Sequence, residues 1–98
     1  QAVDELGLTG KVAVVGTSMT SIARNYVEKD VINTFSVWDP ADAGKAMIEM
    51  AKAALDGTVE DGMNLNVPGY EKISEQDGIY YGDARIDVTK DNMDDYDF

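Results

Sequence analysis

The sequence predicts an α/β fold in which parallel strands are joined by helical crossovers. Two β-rich runs are separated by a stretch with helical periodicity, and a second helical stretch follows the later run. A strand, a helix and a second strand in this order form a βαβ unit, which is right-handed and parallel in nearly all known cases. We therefore expect part of a three-layer lobe with a parallel sheet between helices.

The first residues predict a helix end followed by a buried strand. Gln1–Gly7 is typical of the last turns of a helix closed by glycine. Chains rarely begin in the last turns of a helix, so we expect residues 1–98 to be a fragment of a larger chain. Lys11–Gly16 is apolar at consecutive positions, which is typical of a central parallel strand covered on both faces.

A helix and a second strand are expected next. The helix spans Met19–Asp30, and the strand spans Val31–Trp38. The helix has an apolar stripe at helical spacing, made of Met19, Ile22, Ala23, Tyr26 and Val27. A hydroxyl oxygen near its start is expected to cap it, from Thr17, Ser18 or Thr20.

Asp39-Pro40 predicts the start of a longer helix, with Asp39 as N-cap and Pro40 at the first helical position. Gly57 is expected to end it. Its predicted apolar stripe consists of Ala43, Ala46, Met47, Met50, Ala51, Ala54 and Leu55, with the two methionines as core filler. Beyond Gly57, short strands around turns are expected within Asp77–Gly82 and Ala84–Val88.

The composition excludes several kinds of chemistry. The 98 residues contain no Cys and no His, so they supply no thiolate, imidazole base or zinc site of the usual ligands. The formal net charge of −11 argues against nucleic acid and anionic membrane as partners. The segment around Gly16 matches neither glycine-rich phosphate motif. The acidic residues of Asp91–Asp97 lack the pattern of a calcium loop and are interpreted as solvated surface.

The candidate ligand-binding residues are Ser18, Trp38 and Asp39, which lie at or just after the ends of the two predicted strands. Ligands of open parallel sheets bind at the carboxyl ends of the strands. A hydroxyl, a flat indole face and a carboxylate suit a carbohydrate-like molecule. The alternatives stay open, since Ser18 and Asp39 are also typical helix caps and Trp38 is also typical of a core. No catalytic or metal-binding residue is expected.

Several motifs resemble the type 1 periplasmic binding proteins, the sugar receptors of ABC importers. The similarity extends over nearly the whole chain and is carried by residues 7–18, Tyr26-Val27, Phe35–Asp39, Gly44 in its Ala-rich helix and the ending Tyr96-Asp97-Phe98. The most similar branch binds autoinducer-2 or rhamnose. The resemblance implies that Trp38 occupies the pocket position at its strand end, beside Asp39, with Ser18 in the turn that lines the cleft. Met19-Thr20 departs from the Thr-Pro that is frequent in relatives.

The resemblance implies a three-layer Rossmann-like lobe, with residues 1–98 as the C-terminal portion of a solute-binding protein. Such a receptor binds a sugar-like ligand without catalysis and without a cofactor. Its partners would be the membrane subunits of an ABC importer and the missing N-terminal part of the same chain. It would lie in the periplasm or at the cell surface as a lipoprotein. We also expect two copies of the isolated chain to pair through an exposed sheet edge.

Two other function classes stay open. The effector-binding domain of a lac-repressor-like transcription regulator shares this architecture, and a helix-turn-helix at the start of the full gene would identify it. An enzyme such as a dehydrogenase or a phosphoacceptor domain would need a glycine-rich phosphate loop or an acidic pocket at a strand end. Neither feature is present at the two strand ends.

Overall fold

The computed structural model describes all residues from 1 to 98 and divides into two compact units. Unit 1 comprises Gln1–Val37 and Ile86–Phe98, and unit 2 comprises Trp38–Arg85. The elements in chain order are α1 (Ala2–Glu5), α2 (Thr20–Glu28), β1 (Phe35–Val37), α3 (Pro40–Asp56), β2 (Ser74–Gln76), β3 (Ile79–Tyr81), β4 (Ile86–Val88) and a 3₁₀ helix (Met93–Asp95). No helix has both the length and the apolar character that a membrane span requires.

The centre of unit 1 is the antiparallel pair β1–β4, in which Phe35 lies opposite Val88 and Val37 opposite Ile86. A parallel bridge joins Thr17 to Ser36 on β1. The side chains of β1 alternate, so that Phe35 and Val37 are buried on one face. The core comprises Ala23, Val27, Phe35, Val37, Val88 and Met93.

The predicted strand Lys11–Gly16 does not form as a strand. The direction of the expected pairing is confirmed by the parallel bridge of Thr17 to Ser36, but no ladder extends along the segment. Ala13, Val14 and Val15 make no backbone hydrogen bond, and Val15 is 74% exposed. A central parallel strand needs a partner on each side and cover on both faces, and unit 1 supplies neither to this segment.

Helix α2 is capped differently from the expectation. Its N-cap is Met19, and no side chain caps it. The Thr20 N–H instead donates to the main-chain oxygen of Phe98 at 2.8 Å. The Thr20 hydroxyl is buried without a hydrogen-bond partner. The predicted stripe is correct for Ala23 and Val27 but wrong for Met19 and Ile22, which are exposed. The buried apolar residues of α2 are those that pack with residues of β1 and β4.

Unit 2 is built around α3, whose predicted ends are confirmed. Asp39 caps its start and Gly57, with a φ of 68°, ends it in the left-handed conformation. Ala46 packs with Leu65, Val67 and Ile73 to form the core. Met50 packs against this core, whereas Met47 and Leu55 are 74% and 89% exposed, so their predicted place in a buried stripe is wrong within this unit.

A β-hairpin, β2–β3, completes unit 2. Asp77 and Gly78 join the strands, and both have positive φ, at 53° and 80°. This is the backbone geometry of a two-residue type I′ turn, for which Asp-Gly is a preferred sequence. The short strands expected after Gly57 are therefore confirmed within Asp77–Gly82, and β4 confirms the one within Ala84–Val88.

The two glycines of α3 should respond oppositely to alanine. A Cβ on either Gly44 or Gly57 would meet no atom within 4 Å, so only backbone conformation separates them. We expect Gly44→Ala to stabilise the chain by about 0.5–1 kcal/mol, because glycine is a poor helix former. We expect Gly57→Ala to destabilise it by about 1 kcal/mol, because alanine disfavours positive φ.

Urea unfolding followed by ellipticity at 222 nm measures both changes. Helix α3 has 17 of the helical residues, against nine in α2 and four in α1, so it dominates the signal. Shifts of the same sign in the two variants would contradict the assignment of the helix end.

Candidate functional site

The three predicted site residues are divided between the two units. Ser18 lies in unit 1, in the turn between the parallel bridge and α2. Trp38 and Asp39 are the first two residues of unit 2 and lead into α3. Each residue is therefore described within its own unit.

Ser18 is held by main-chain contacts with β1. Its N–H donates to the Ser36 carbonyl oxygen at 3.3 Å, and the Ser36 N–H donates to the Gly16 carbonyl oxygen at 2.8 Å. Its hydroxyl makes one long contact of 3.4 Å to the Met19 carbonyl oxygen. Ser18 does not cap α2, so the capping alternative for this residue is wrong and its hydroxyl retains capacity for another partner.

Trp38 belongs to neither apolar core. Its side chain is 54% exposed, although tryptophan has a large apolar surface that proteins usually bury. The indole N–H has no hydrogen-bond partner within the chain. An exposed ring with a free donor can supply both a flat apolar contact and a hydrogen bond.

Asp39 caps α3, and this role uses only one of its carboxylate oxygens. Oδ1 accepts from the N–H of Ala41 at 2.7 Å and from the N–H of Asp42 at 3.3 Å. Oδ2 has no hydrogen-bond donor within the chain. The cap fixes the orientation of the carboxylate, and its second oxygen remains available to accept from a hydroxyl group.

The nearby charges of α3 are arranged as local ion pairs. Lys45 Nζ lies 2.7 Å from Asp42 Oδ1, and Lys52 Nζ lies 2.8 Å from Glu49 Oε2. The hydrogen bond to Asp42, and then the charge of that carboxylate, raise the pKa of Lys45 above its ordinary value, and Glu49 acts in the same way on Lys52. The stabilisation that these ion pairs give to the folded chain is complete below the ordinary pKa of lysine. It is lost as the pH rises through the raised pKa, where the lysine side chain loses its charge. Solvent exposure keeps it small.

Ser36 is a residue of this region that the sequence interpretation missed. In addition to its main-chain bonds with Gly16 and Ser18, its hydroxyl donates to Asp87 Oδ1 at 2.8 Å. The only local signal was a polar residue between two apolar ones in Phe35-Ser36-Val37. Its role depends on Asp87, which is 51 positions away and follows no recognisable motif.

Removal of the Asp39 carboxylate should weaken α3. We expect Asp39→Ala to destabilise the chain by about 1 kcal/mol, because two N–H groups of the first turn lose their acceptor. Asp39→Asn should retain most of the stability, because an amide oxygen also caps helices. Urea unfolding of the two variants measures both changes in the free energy of unfolding. Equal losses of unfolding free energy would show that Asp39 does not stabilise the chain as a helix cap.

Comparison with known proteins identifies the family. A sequence model of the periplasmic binding protein domain matches residues 1–58, which is more than half of the chain. The structure is similar to that of a sugar ABC transporter from Actinomyces odontolyticus, with a TM-score of 0.70 and 23% sequence identity over 92% of this chain. The chain spans 30% of the length of that protein, and at this identity the match shows the fold, an α/β periplasmic binding protein fold as predicted. The chain belongs to the periplasmic binding protein family.

Proposed function

We propose that the chain is the C-terminal part of an extracytoplasmic receptor that binds a sugar or a sugar-like molecule for an ABC importer. Family membership supports a solute receptor that performs no chemistry, and the structural neighbour is itself a sugar ABC transporter. Its partners would be the importer's membrane subunits and the N-terminal part of the same receptor. Trp38-Asp39 and the ending Tyr96-Asp97-Phe98 favour the branch that binds autoinducer-2 or rhamnose. Such a receptor is attached to the cell surface as a lipoprotein or is free in the periplasm.

The observation that carries this proposal is the pair formed by Trp38 and Asp39. Trp38 exposes a flat ring without a partner, and Asp39 has one carboxylate oxygen free. A sugar ring presents C–H faces that pack on an indole and hydroxyls that donate to a carboxylate. Ser18, whose hydroxyl makes one long contact of 3.4 Å to the Met19 carbonyl oxygen, is a separate candidate within unit 1. In this proposal Asp39 has two roles, because the oxygen that caps α3 is not the one that meets the ligand.

Replacement of Trp38 in the full-length receptor should abolish most of its affinity. We expect Trp38→Ala to cost on the order of 2 kcal/mol, roughly a 30-fold rise in Kd, as for a buried aromatic anchor. Isothermal titration with a monosaccharide panel that includes rhamnose, and with autoinducer-2, measures the change. The 98-residue chain alone should bind these molecules weakly or not at all, because most of the enclosing surface would lie in the missing part.

Tyr81→Ala is the matched control for this titration. Tyr81 is an aromatic residue of unit 2, 48% exposed, on the hairpin strand β3. We expect its replacement to leave affinity unchanged. Equal affinities of the Trp38→Ala and unmodified receptors would contradict the assignment of Trp38 to the pocket. A helix-turn-helix encoded at the start of the full gene would indicate a transcription regulator instead.

The isolated chain should also associate with a second copy. Ala13, Val14 and Val15 have unpaired backbone groups, and Val12 and Val15 are 44% and 74% exposed. Extended segments with free N–H and C=O groups recruit strands from other molecules. We expect sedimentation velocity of the 98-residue chain to show a concentration-dependent dimer, and Val14→Pro to weaken it, because proline removes a donor. A monomer at every concentration would contradict this expectation.

A further inference from the structure

Unit 2 contains three Asp-Gly pairs, and one of them differs from the others in its hydrogen bonds. The pairs are Asp56-Gly57, Asp61-Gly62 and Asp77-Gly78, and all six residues are exposed. In such a pair the glycine nitrogen can attack the aspartate side chain, because glycine has no Cβ to obstruct the approach. The ring that forms opens to isoaspartate, an aspartate joined to the next residue through its side chain. Each pair is therefore a candidate modification site.

The three glycine N–H groups donate to different kinds of acceptor. The Gly57 N–H donates to main-chain oxygens at the end of α3, and the Gly62 N–H donates to the main-chain oxygen of Ile73 at 2.8 Å. The Gly78 N–H instead donates to Glu75 Oε1 at 2.5 Å. A carbonyl oxygen holds an amide in place without taking up its proton, whereas a carboxylate is a base. Of the three glycines, Gly78 alone has a base bonded to the nitrogen that must react.

The three aspartate side chains also differ in their contacts. Asp61 Oδ1 accepts from the Glu75 N–H at 2.8 Å, which holds this side chain away from the next nitrogen. Asp56 is the last residue of α3, and the helix end fixes the glycine that follows it. The Asp77 carboxylate has no hydrogen-bond or ion-pair partner, and it lies on the exposed turn between β2 and β3. Asp77 is thus free to turn towards the nitrogen of the next residue.

We propose that Asp77-Gly78 is a site of spontaneous conversion to isoaspartate, with Glu75 as the base. The Gly78 nitrogen bonds to Cγ of the protonated Asp77 carboxyl, and its proton passes to Glu75. The Asp77 hydroxyl leaves with that proton as water, which restores the Glu75 carboxylate and leaves a succinimide ring. Water then adds to the ring at the Asp77 main-chain carbonyl and breaks its bond to nitrogen, which gives isoaspartate. Addition of water at Cγ restores aspartate.

The product acts on the pairing of β2 with β3. Gln76 lies opposite Ile79, so the turn consists of Asp77 and Gly78 alone. A two-residue turn fixes the register of a hairpin through its length and its positive φ angles. Isoaspartate adds one carbon atom to the main chain at this point, and we expect the hairpin to lose its register. The inference goes beyond sugar binding and does not depend on it, because every reacting group lies within unit 2.

Peptide mapping of the aged chain tests the site. The 98-residue chain is incubated in a mildly acidic buffer, both folded and in guanidinium chloride, and electron-transfer fragmentation distinguishes isoaspartate from aspartate at each pair. In the denaturant we expect similar rates at the three pairs, since the reacting residues are the same. In the folded chain we expect Asp77 to react roughly tenfold faster than Asp56 and Asp61, because the folded structure holds the other two pairs. Similar rates at all three pairs of the folded chain would overturn the proposal.

Glu75→Gln tests the base. Glutamine keeps an oxygen that accepts from the Gly78 N–H, but this oxygen takes up no proton. We expect the folded variant to form isoaspartate at position 77 roughly tenfold more slowly, at about the rate of the other two pairs. In guanidinium chloride the substitution should have no effect, because the turn that brings Glu75 to Gly78 is absent. Urea unfolding checks that the variant keeps the free energy of unfolding of the original chain.

Glu71→Gln is the matched control. It removes the same charge from an exposed residue of unit 2 that accepts from none of the three glycines. We expect it to leave the rate at Asp77 unchanged. An unchanged rate in Glu75→Gln would overturn the role of Glu75. Equal slowing by both substitutions would also overturn it, because the effect would then come from net charge and not from a positioned base.

Discussion

The hydrogen bonds of Ser36 hold together the extended segments of unit 1. Its main chain joins β1 to the segment Gly16–Ser18, and its hydroxyl joins β1 to Asp87 on β4. On either side of it, Phe35 and Val37 are 2% and 3% exposed, so the same three residues also supply the core. Because side chains alternate along a strand, the apolar neighbours enter the core while Ser36 lies on the other face. One polar residue in a three-residue strand thus bonds to two other segments, and its bond to Asp87 adds to the ladder between β1 and β4.

The start of α2 depends on the same arrangement. Ser18 is fixed against β1, and α2 begins two residues later without a side-chain cap. The main-chain oxygen of Phe98 supplies the missing acceptor, while the Phe98 ring packs edge-to-face on Tyr96 at a centroid distance of 6.3 Å. Both aromatic residues also pack on the core of unit 1. The last residues therefore stabilise α2 through a hydrogen bond and through apolar contact, which no motif near Thr20 could indicate.

The features that the sequence predicted correctly are those made by residues a few positions apart. The cap by Asp39 involves donors two and three residues away, and the turn at Asp77-Gly78 requires only two residues of positive φ. Such signals do not depend on the rest of the chain. Of the candidate site, this reasoning established how Asp39 is oriented. It missed Ser36, because the partners of that residue come from distant parts of the sequence.

The incorrect expectations for Lys11–Gly16, Met47 and Leu55 share a physical cause, since each required a neighbour that the structure does not supply. The strand at Lys11–Gly16 needed a second strand beside it, and Met47 and Leu55 needed a surface above α3. Apolar periodicity indicates which residues are suited to burial, but it does not indicate which part of the protein buries them.

The exposure of Trp38 has a different physical meaning from that of Met47, although both are apolar side chains left uncovered. Trp38 is followed directly by a carboxylate with one free oxygen, so its surroundings combine a flat face with a hydrogen-bond acceptor. Met47 lines an apolar groove along one face of α3, and no charged side chain lines this groove. The neighbouring carboxylates on α3, Asp42 and Glu49, are already paired with lysines. A ligand with hydroxyl groups can donate a hydrogen bond beside Trp38 and Asp39. Beside Met47 it would lose its hydrogen bonds to water without replacing them. Burial of Met47 by apolar groups carries no such penalty, so the first environment suits a hydroxyl-bearing ligand and the second suits apolar packing.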